Sequence, residues 1–256
     1  MIKLFNQAAR HRFNYFLTRC SLRLILPLFV RMHRIEFATL AEGPLLLAGN
    51  HISHFDPPCL CLAFSKKVDF MAMKELFMHP LARAYFLGND VFAVDRYKAD
   101  STALRESVRR LKDKDSKRIV CMFPEGGLRA GHESVLEGKA LPSGCGAVAS
   151  LAQCPVQPFI IVGTDQLYRW QNIFKRPHVY IVLGKVIYLD KHVNSKSARQ
   201  KVDADVQRAL RELYAKLLEE YKLPQEVLPQ TAQQRWGLEP LPETPERSYL
   251  KKSSSS

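Results

Sequence analysis

The sequence predicts an α/β fold with a mostly parallel central sheet flanked by helices. Short apolar runs, which are typical of buried strands, alternate along the chain with stretches of helical periodicity. This alternation is typical of parallel strands that are joined by crossover helices. A length of 256 residues and a hydrophobic share of 46% are sufficient for one domain with a substantial core.

The N-terminal 35 residues are basic and apolar, with seven Lys/Arg and no Asp or Glu. Helices are expected over residues 4–18 and 20–33. The most apolar part, 13–30, contains Arg19 and Arg23, and inserting each near the bilayer centre would cost roughly 2.5–3.5 kcal/mol. Two interpretations remain, a helix that caps the domain and a helix that lies in the membrane interface, and the charge favours the second. No cleavable signal peptide is expected.

Glycine and proline mark the limits of the elements in the first half of the chain. An apolar run follows Gly43 and Pro44 and is expected to be a buried strand. Pro57 and Pro58 suit the first turn of the helix after it. The elements predicted in this half are a strand over 45–50, a helix over 57–64, a strand over 68–73, helical pieces over 74–88 that break at Pro80, and a strand over 91–94.

The second half continues the alternation and ends in the clearest helix of the chain. That helix, over 195–222, has Ser197 and Gln200 in the pattern of a capping box. The other predicted elements are a helix over 102–114, a strand over 118–123, a helix over 143–153, a strand over 156–163 and one or two strands over 179–187. The predicted regions are basic amphipathic helices at a membrane interface over 1–35, an α/β domain over 36–222, and a Pro-rich, loosely ordered tail over 223–256.

The net charge of +13 predicts an anionic partner. Phospholipid headgroups, nucleic acid, and a phosphorylated substrate or carrier all fit, and the charge does not distinguish them. The six cysteines include no C-x-x-C pair, so neither a disulfide framework nor a cysteine zinc site is expected.

The stretch LAGNHISHFDPP, residues 47–58, places two histidines and an aspartate directly after a predicted strand. On one continuous helix, His51 and Asp56 would be rotated about 140° apart and could not cooperate. They meet if His51 lies in the loop that leaves the strand and Asp56 is the N-cap of the next helix, with Pro57 at its first position. A carboxylate that accepts from one ring nitrogen of a histidine leaves the other nitrogen as a base.

Two other interpretations of this stretch stay open. A metal site would use His51, His54 and Asp56 but lacks a further cluster of ligands. A polar turn that caps a helix, with exposed histidines, needs no chemistry. The chain contains no G-x-S-x-G nucleophile motif, so a base at His51 would act on a hydroxyl of the substrate itself.

Two more predicted strands end in polar residues. GNDVFAVDR, residues 88–96, ends in Arg96, whose guanidinium can hold a phosphate with paired N–H donors. MFPEGGLRAG, residues 122–131, contains Glu125, Arg129 and two glycines that let backbone N–H groups approach an anion. The alternatives are a surface arginine paired with an acid and a glycine-rich turn. The second stretch is not a nucleotide P-loop, because its glycine–lysine spacing is wrong.

Together these strand ends resemble the motifs of the glycerolipid acyltransferase family, whose type member is 1-acylglycerol-3-phosphate (lysophosphatidate) acyltransferase. The order and spacing agree over about residues 43–165. The chain departs at the third motif, because the family usually has F-P-E-G-T-R and this chain has F-P-E-G-G-L-R. The matches are Asn50, His51, Ser53 and Asp56 to N-H-x-S-x-x-D; Gly88, Val91, Phe92, Asp95 and Arg96 to G-x-[IV]-F-x-x-R; Phe123, Pro124, Glu125 and Gly126 to F-P-E-G; and Val156 and Pro158 to V-x-P-[FV].

The resemblance implies transfer of a fatty acyl group from acyl-CoA or acyl carrier protein to a lysolipid hydroxyl, in phospholipid biosynthesis, with 1-acylglycerol 3-phosphate as the first candidate acceptor. His51 would deprotonate that hydroxyl, Asp56 would orient His51, and His54 would have no role. No metal or cofactor is implied, and the protein would be peripheral or monotopic at the cytoplasmic face of a membrane. The residues that would bind the acceptor's phosphate or polar head are Arg96, Glu125, Gly126 and Arg129.

Two alternatives remain for the function. The first is an acyltransferase with another acceptor, such as a lysophospholipid with a larger head, a lyso-ornithine lipid or glycerol 3-phosphate, and the altered third motif fits this alternative slightly better. The second is a basic membrane-surface or nucleic-acid-binding protein in which the motifs are inert. The chain resembles no nucleic-acid recognition module, so no nucleic-acid partner is expected.

Overall fold

A six-stranded sheet forms the centre of the protein. The computed structural model describes residues 2–95, 101–113, 115, 117–142, 144–189 and 196–238. The strands are β1 (Arg31–Glu36), β2 (Leu45–Gly49), β3 (Val68–Asp69), β4 (Met71–Met73), β5 (Phe92–Val94), β6 (Ile119–Met122), β7 (Val156–Val162) and β8 (His178–Leu183). The main sheet has the order β1-β8-β7-β2-β6-β3, in which β7 and β8 are antiparallel and the other neighbours are parallel. The predicted α/β fold with a mostly parallel sheet is confirmed.

Helices cover both faces of this sheet. They are α1 (Ile2–Phe29), α2 (Asp56–Ala63), α3 (Pro80–Gly88), α4 (Ser101–Lys112), α5 (Cys145–Ala152), α6 (Trp170–Lys175), α7 (Lys196–Tyr221) and α8 (Ala232–Trp236). Short 3₁₀ turns lie between them, including Thr164–Tyr168 and Gln225–Val227. A second, two-stranded sheet pairs β4 with β5 in parallel.

Strand β2 is buried on both faces because its side chains alternate between two cores. Leu46 and Ala48 face the core that α5 and α7 cover, whereas Leu45 and Leu47 face the core that α1 and α2 cover. A continuous apolar run suits a parallel strand with helices on both sides. Because β2, β6 and β7 are parallel, the loops that follow them meet at one edge, where open α/β sheets place their sites.

The N-terminal region differs from its prediction in two ways. One continuous helix, α1, replaces the two predicted helices and contains Pro27 in its last turn. Residues 31–33, predicted as helical, belong instead to β1, which pairs with β8. The partner strand lies about 145 residues away, so the local pattern could not reveal the pairing. The main sheet therefore begins before residue 36, the predicted start of the α/β domain.

Two other predictions also need correction. The single strand predicted over 68–73 is two strands, because β3 pairs with β6 in the main sheet and β4 pairs with β5. Ser197 was predicted to cap a helix, but it lies inside α7, which already includes Lys196. The remaining predicted helices and strands occur near their predicted positions.

The tail predicted over 223–256 is folded in its first part. Thr231 and Gln234 form a capping box at the start of α8. Val227 and Arg235 are buried, so this segment packs onto the domain rather than extending from it. Residues 239–256 lie outside the described residues.

Helix α1 is apolar on both of its faces, whereas an amphipathic helix was predicted. Its inward face packs Tyr15 and Leu26 into the core. Its outward face exposes Phe13, Leu24 and Leu28, which are 59%, 77% and 65% exposed. Among the described residues, none of the helices combines the length and the apolar composition needed to cross a membrane.

Candidate active site

His51 and Asp56 form the predicted pair in the loop between β2 and α2. The His51 Nδ1 atom lies 2.7 Å from Asp56 Oδ2, at hydrogen-bond distance. Asp56 is fully buried and His51 is 6% exposed, so little water competes for the contact. The polar turn with exposed histidines therefore does not describe this pair.

Four donors converge on the Asp56 carboxylate. Oδ2 accepts from the backbone N–H groups of Ile52 and Ser53, at 2.9 and 3.0 Å, as well as from His51. Oδ1 accepts from the Thr164 hydroxyl. An ionised carboxylate can only accept, so with Asp56 ionised the Nδ1 atom of His51 is the donor of this hydrogen bond, and Nε2 is the ring nitrogen that does not face Asp56.

Asp56 does not cap α2, contrary to the prediction. It is the first residue of the helix, and the N-cap residue, Phe55, makes no side-chain cap. Instead of accepting from the first N–H groups of α2, the carboxylate accepts from two N–H groups of the preceding loop and from the His51 ring. Pro57 still occupies the first turn, where its missing N–H group costs no hydrogen bond.

The loop after β6 holds His51 on three sides. The Phe123 ring stacks on the imidazole with centroids 4.1 Å apart and planes 13° from parallel. The His51 N–H donates to Glu125 Oε2 at 3.0 Å, and the Arg129 N–H donates to the His51 carbonyl at 2.8 Å. Contacts with residues more than 70 positions away therefore fix both the ring and the backbone of His51.

Glu125 supports this arrangement from a buried position. Its Oε1 atom accepts from the Val135 N–H at 2.7 Å and from the Ser134 hydroxyl at 3.1 Å, while Oε2 accepts from His51. Burial raises the pKa of the Glu125 carboxyl, and these hydrogen bonds oppose the rise. Both oxygens are engaged with the protein, so the acid holds two loops together.

Gly126 and Arg129 are the solvent-facing members of the third motif. Gly126 has φ +70°, in the left-handed region that favours glycine, and a Cβ there would meet nothing within 4 Å. Its N–H donates to the Phe123 carbonyl. Both residues therefore border open space on the loop that holds His51. Arg96, which was also predicted to bind the acceptor, lies outside the described residues.

The other polar residues of the first motif have structural roles. Asn50 pairs with the backbone of Ile161 through two hydrogen bonds of 2.8 Å, which tie the loop to β7. The Ser53 hydroxyl accepts from the Phe55 N–H at 2.9 Å and closes the turn before α2. The exposed His54 turns to the Tyr168 hydroxyl, at 2.6 Å, rather than toward His51. Within the described ranges, no three His, Cys, Asp or Glu side chains converge as metal ligands would.

Two cysteines near Asp56 are uncharged. Burial raises the pKa of the Cys59 thiol, and the Asp56 carboxylate raises it further. The pKa of Cys121 is also raised by burial, with the Asp56 charge contributing. Neither thiol is a plausible nucleophile, because the thiolate is the reactive form.

The second motif is anchored to α1 and to a buried ion network. The Gly88 carbonyl accepts from His11 Nδ1 at 2.9 Å and from Asn14 at 3.2 Å. Asp90, with φ +63°, pairs with Arg110 at 3.0 Å and with Arg118 at 2.8 Å. These contacts position the chain just before Arg96.

The ion network predicts a loss of stability in acid. Burial alone would raise the pKa of Asp90, but Lys67, Arg110 and Arg118 outweigh it and lower this pKa from 3.8 to about 2. A lowered folded-state pKa contributes stability that is present above pH 4 and is lost as the pH falls toward 2. Asp90→Asn, which tolerates the same φ, should lower Tm by about 2–4 °C at pH 7 and flatten the decline of Tm between pH 4 and 2.

The measurement is thermal unfolding between pH 2 and 7. Glu219→Gln, at an exposed position of α7, is the control and should leave the profile unchanged. An Asp90→Asn profile that runs parallel to the wild type would contradict the assignment of acid sensitivity to Asp90.

Thr164 belongs to the network around Asp56, and the sequence reasoning missed it. Thr164 is 108 residues from Asp56, so no local spacing links them. One signal was available: Thr164 follows β7, and polar residues at the carboxyl ends of neighbouring parallel strands meet at the same edge. The residues predicted for the site follow β2, β5 and β6, and none of them follows β7.

Two comparisons with known proteins give matches, one to a family and one to a fold. A family model described as "Acyltransferase" matches residues 30–162, just over half of the chain. The crystal structure of the 1-acyl-sn-glycerophosphate (LPA) acyltransferase, PlsC, from Thermotoga maritima superposes with a TM-score of 0.56 and 21% sequence identity over 83% of each chain. At this identity the likeness supports the fold alone. No curated protein sequence matches significantly. The family match spans the loops that hold His51, Asp56 and Glu125, and the chain therefore belongs to the acyltransferase family.

Proposed function

We propose that this acyltransferase moves a fatty acyl group from a thioester donor, acyl-CoA or acyl carrier protein, to the hydroxyl of a lysolipid, with His51 as the general base. The observation that carries the proposal is the buried His51–Asp56 pair, with Nδ1 and Oδ2 at 2.7 Å. The pair lies inside the region that matches the family. The acceptor we favour is 1-acylglycerol 3-phosphate, which gives phosphatidate, and the fold is similar to an enzyme whose name states that activity.

The proposed reaction balances without a covalent enzyme intermediate. Nε2 of His51 takes the proton of the acceptor hydroxyl as its oxygen attacks the thioester carbonyl, and Asp56 stabilises the imidazolium that forms. The C–O bond of the ester forms and the C–S bond of the donor breaks. The imidazolium then returns its proton to the departing thiolate, so the base is restored.

The acceptor's polar head would bind beside this base. Gly126 and Arg129 border open space on the same loop, and the guanidinium of Arg129 suits a phosphate. Arg96 would add a second guanidinium, and Glu125 would act by holding the loop. A different acceptor is the alternative, because Gly127 and Leu128 stand where the family usually has a single threonine before the arginine.

The test is a panel of lysolipids offered with acyl-CoA or acyl carrier protein as donor. We expect ester formation with 1-acylglycerol 3-phosphate to exceed that with lysophospholipids that have larger heads, lyso-ornithine lipid or glycerol 3-phosphate. A higher kcat/KM with any of those acceptors would show that the favoured acceptor is wrong and would leave the proposed acyl transfer in place. If no combination of donor and acceptor gives an ester, the proposal would be rejected in favour of a binding protein.

A membrane surface is the proposed partner of α1. The outward face combines exposed apolar side chains with Arg10, Arg12 and Arg23, which are also exposed. An anionic bilayer interface would cover this face and attract its arginines. The protein would then be peripheral or monotopic at the cytoplasmic face, with its site beside a membrane-resident substrate.

Flotation with anionic liposomes tests this partner. Replacing four exposed residues of α1 together, Phe13, Leu17, Leu24 and Leu28, by serine should reduce the liposome-bound fraction by at least about tenfold, since each burial is worth roughly 1.5–3 kcal/mol when complete. Tyr188→Ser with Tyr221→Ser, two exposed aromatic residues outside α1, is the control and should float as the wild type does. Equal flotation of the quadruple variant would exclude α1 as the anchor.

A further inference from the structure

The two oxygens of Asp56 are held by different parts of the chain. Oδ2 contacts the loop that contains His51, whereas Oδ1 accepts from the Thr164 hydroxyl. Thr164 and Asp56 are both fully buried. Thr164 lies two residues beyond the end of the family match at residue 162. With a donor on each oxygen, rotation of the carboxylate about its Cβ–Cγ bond would break a buried hydrogen bond, and leaving such a group unpaired is costly.

The loop that carries Thr164 is itself fastened by the C-terminal segment 225–238. Asp165 Oδ2 accepts from Arg235 Nε at 2.7 Å and from the Gln230 N–H at 2.9 Å. Asp165 is fully buried and Arg235 is 4% exposed. The Trp236 indole N–H donates to the Tyr168 carbonyl at 3.3 Å. The segment therefore makes hydrogen bonds near both ends of the turn Thr164–Tyr168.

The other side of the same turn is fastened to β8. The Gln166 side-chain amide donates to the carbonyls of Gly163 and His178, at 3.0 and 3.1 Å. Gly163 has φ +92°, and a Cβ there would come within 2.3 Å of the His178 carbonyl. The turn is thus close-packed between β8 and the C-terminal segment, and Thr164 has little freedom to leave Asp56.

We propose that Thr164 is a positioning residue for the reaction, which acts through Asp56 to orient His51 and is itself kept in place by the C-terminal segment. The proposal rests on the function proposed above. Without the hydroxyl, Oδ1 would lose the donor that Thr164 provides, and the carboxylate would be held through Oδ2 alone, which allows it to tilt out of the plane in which Oδ2 meets Nδ1 of His51. Groups that orient a metal-ligating histidine are typically worth about 10–100-fold in activity, and we expect an effect of that size for a group that orients a catalytic histidine.

The experiment compares Thr164→Val, which keeps the shape and removes the donor, with Thr164→Ser, which keeps the donor. Thr164→Val should lower kcat by about 10–100-fold with KM changed less than about twofold, and Thr164→Ser should restore kcat to within about threefold of the wild type. Ser107→Ala removes another buried hydroxyl, on α4, and should leave kcat unchanged. In a His51→Ala background, Thr164→Val should cause no further loss, because residues that act as a unit are not additive.

Several results would overturn the proposal. These are a wild-type kcat for Thr164→Val, an equal loss for Ser107→Ala, and the same 10–100-fold factor in the His51→Ala background. If Thr164→Val does not fold, Thr164→Cys takes its place; a thiol is a weaker donor than a hydroxyl, so its kcat should lie below that of Thr164→Ser, and a wild-type kcat would count against the proposal. An active His51→Ala variant would remove the proposed function and this inference with it. An inactive His51→Ala variant beside a fully active Thr164→Val variant would remove the inference alone.

Discussion

Replacing His51 by alanine should lower kcat for acyl transfer by about 10²–10⁴-fold, the range that a positioned general base contributes. Nε2 is the only atom of the buried pair that can receive a substrate proton, because Nδ1 is turned to Asp56. Alanine leaves the thioester and the hydroxyl in place with no group to accept that proton. The loss should appear in kcat and in kcat/KM alike, as expected for an interaction made in the transition state.

The fold should tolerate this change. Asp56 Oδ2 keeps two backbone donors, from Ile52 and Ser53, and the buried surface lost is one imidazole face against Phe123. His54→Ala is the matched control, since His54 is an exposed histidine of the same loop whose ring bonds Tyr168. It should stay within about twofold of wild-type kcat. Activity of His51→Ala within a few-fold of the wild type, at unchanged liposome binding, would show that the imidazole is not the base.

The sequence was sufficient to predict the pair and the edge on which it lies. Strand β2 is a run of apolar residues preceded by glycine and proline, and His51 lies two residues after its end. Steric rules for proline then placed the first helical residue at Pro57, one residue after the observed start at Asp56. These are local effects, with each residue constrained by its immediate neighbours. Structural features that depend on neighbouring residues can be predicted from a single sequence.

The features that the sequence did not predict depend on contacts between residues far apart in the chain. The direction of β8 and the membership of β1 in the sheet depend on contacts between strands far apart in sequence. Glu125 was expected to face the acceptor, but its partners, His51 and Val135, become neighbours only when two loops close on each other. A buried carboxylate needs hydrogen-bond donors, and which residues provide them depends on tertiary contacts that cannot be predicted from local sequence.

Asp56 is the residue whose replacement should have the largest effect on both activity and stability. Asp56→Ala would leave four buried donors without an acceptor: the Ile52 and Ser53 N–H groups, Nδ1 of His51 and the Thr164 hydroxyl. Removing one partner from a buried, fully hydrogen-bonded charge costs about 3–5 kcal/mol. We expect Tm to fall by roughly 10 °C, because each kcal/mol is worth about 2–4 °C in a protein of this size. A smaller loss than about 3 °C would mean that the network does not hold the loop.

Asp56→Asn separates the charge from the hydrogen bonds. The amide oxygen can accept from Ile52, Ser53 and His51 as Oδ2 does, and the amide NH₂ can face Thr164, whose hydroxyl is able to reverse and accept. The fold and the ring orientation should therefore survive, with Tm within about 4 °C of the wild type. A neutral amide cannot stabilise the imidazolium that forms as the hydroxyl is deprotonated, so kcat should still fall by about 10²–10⁴-fold. An Asp56→Asn enzyme with wild-type kcat would show that orientation alone is sufficient. A folded, inactive Asp56→Asn enzyme beside an active Glu219→Gln control would attribute the loss to the charge at Oδ2.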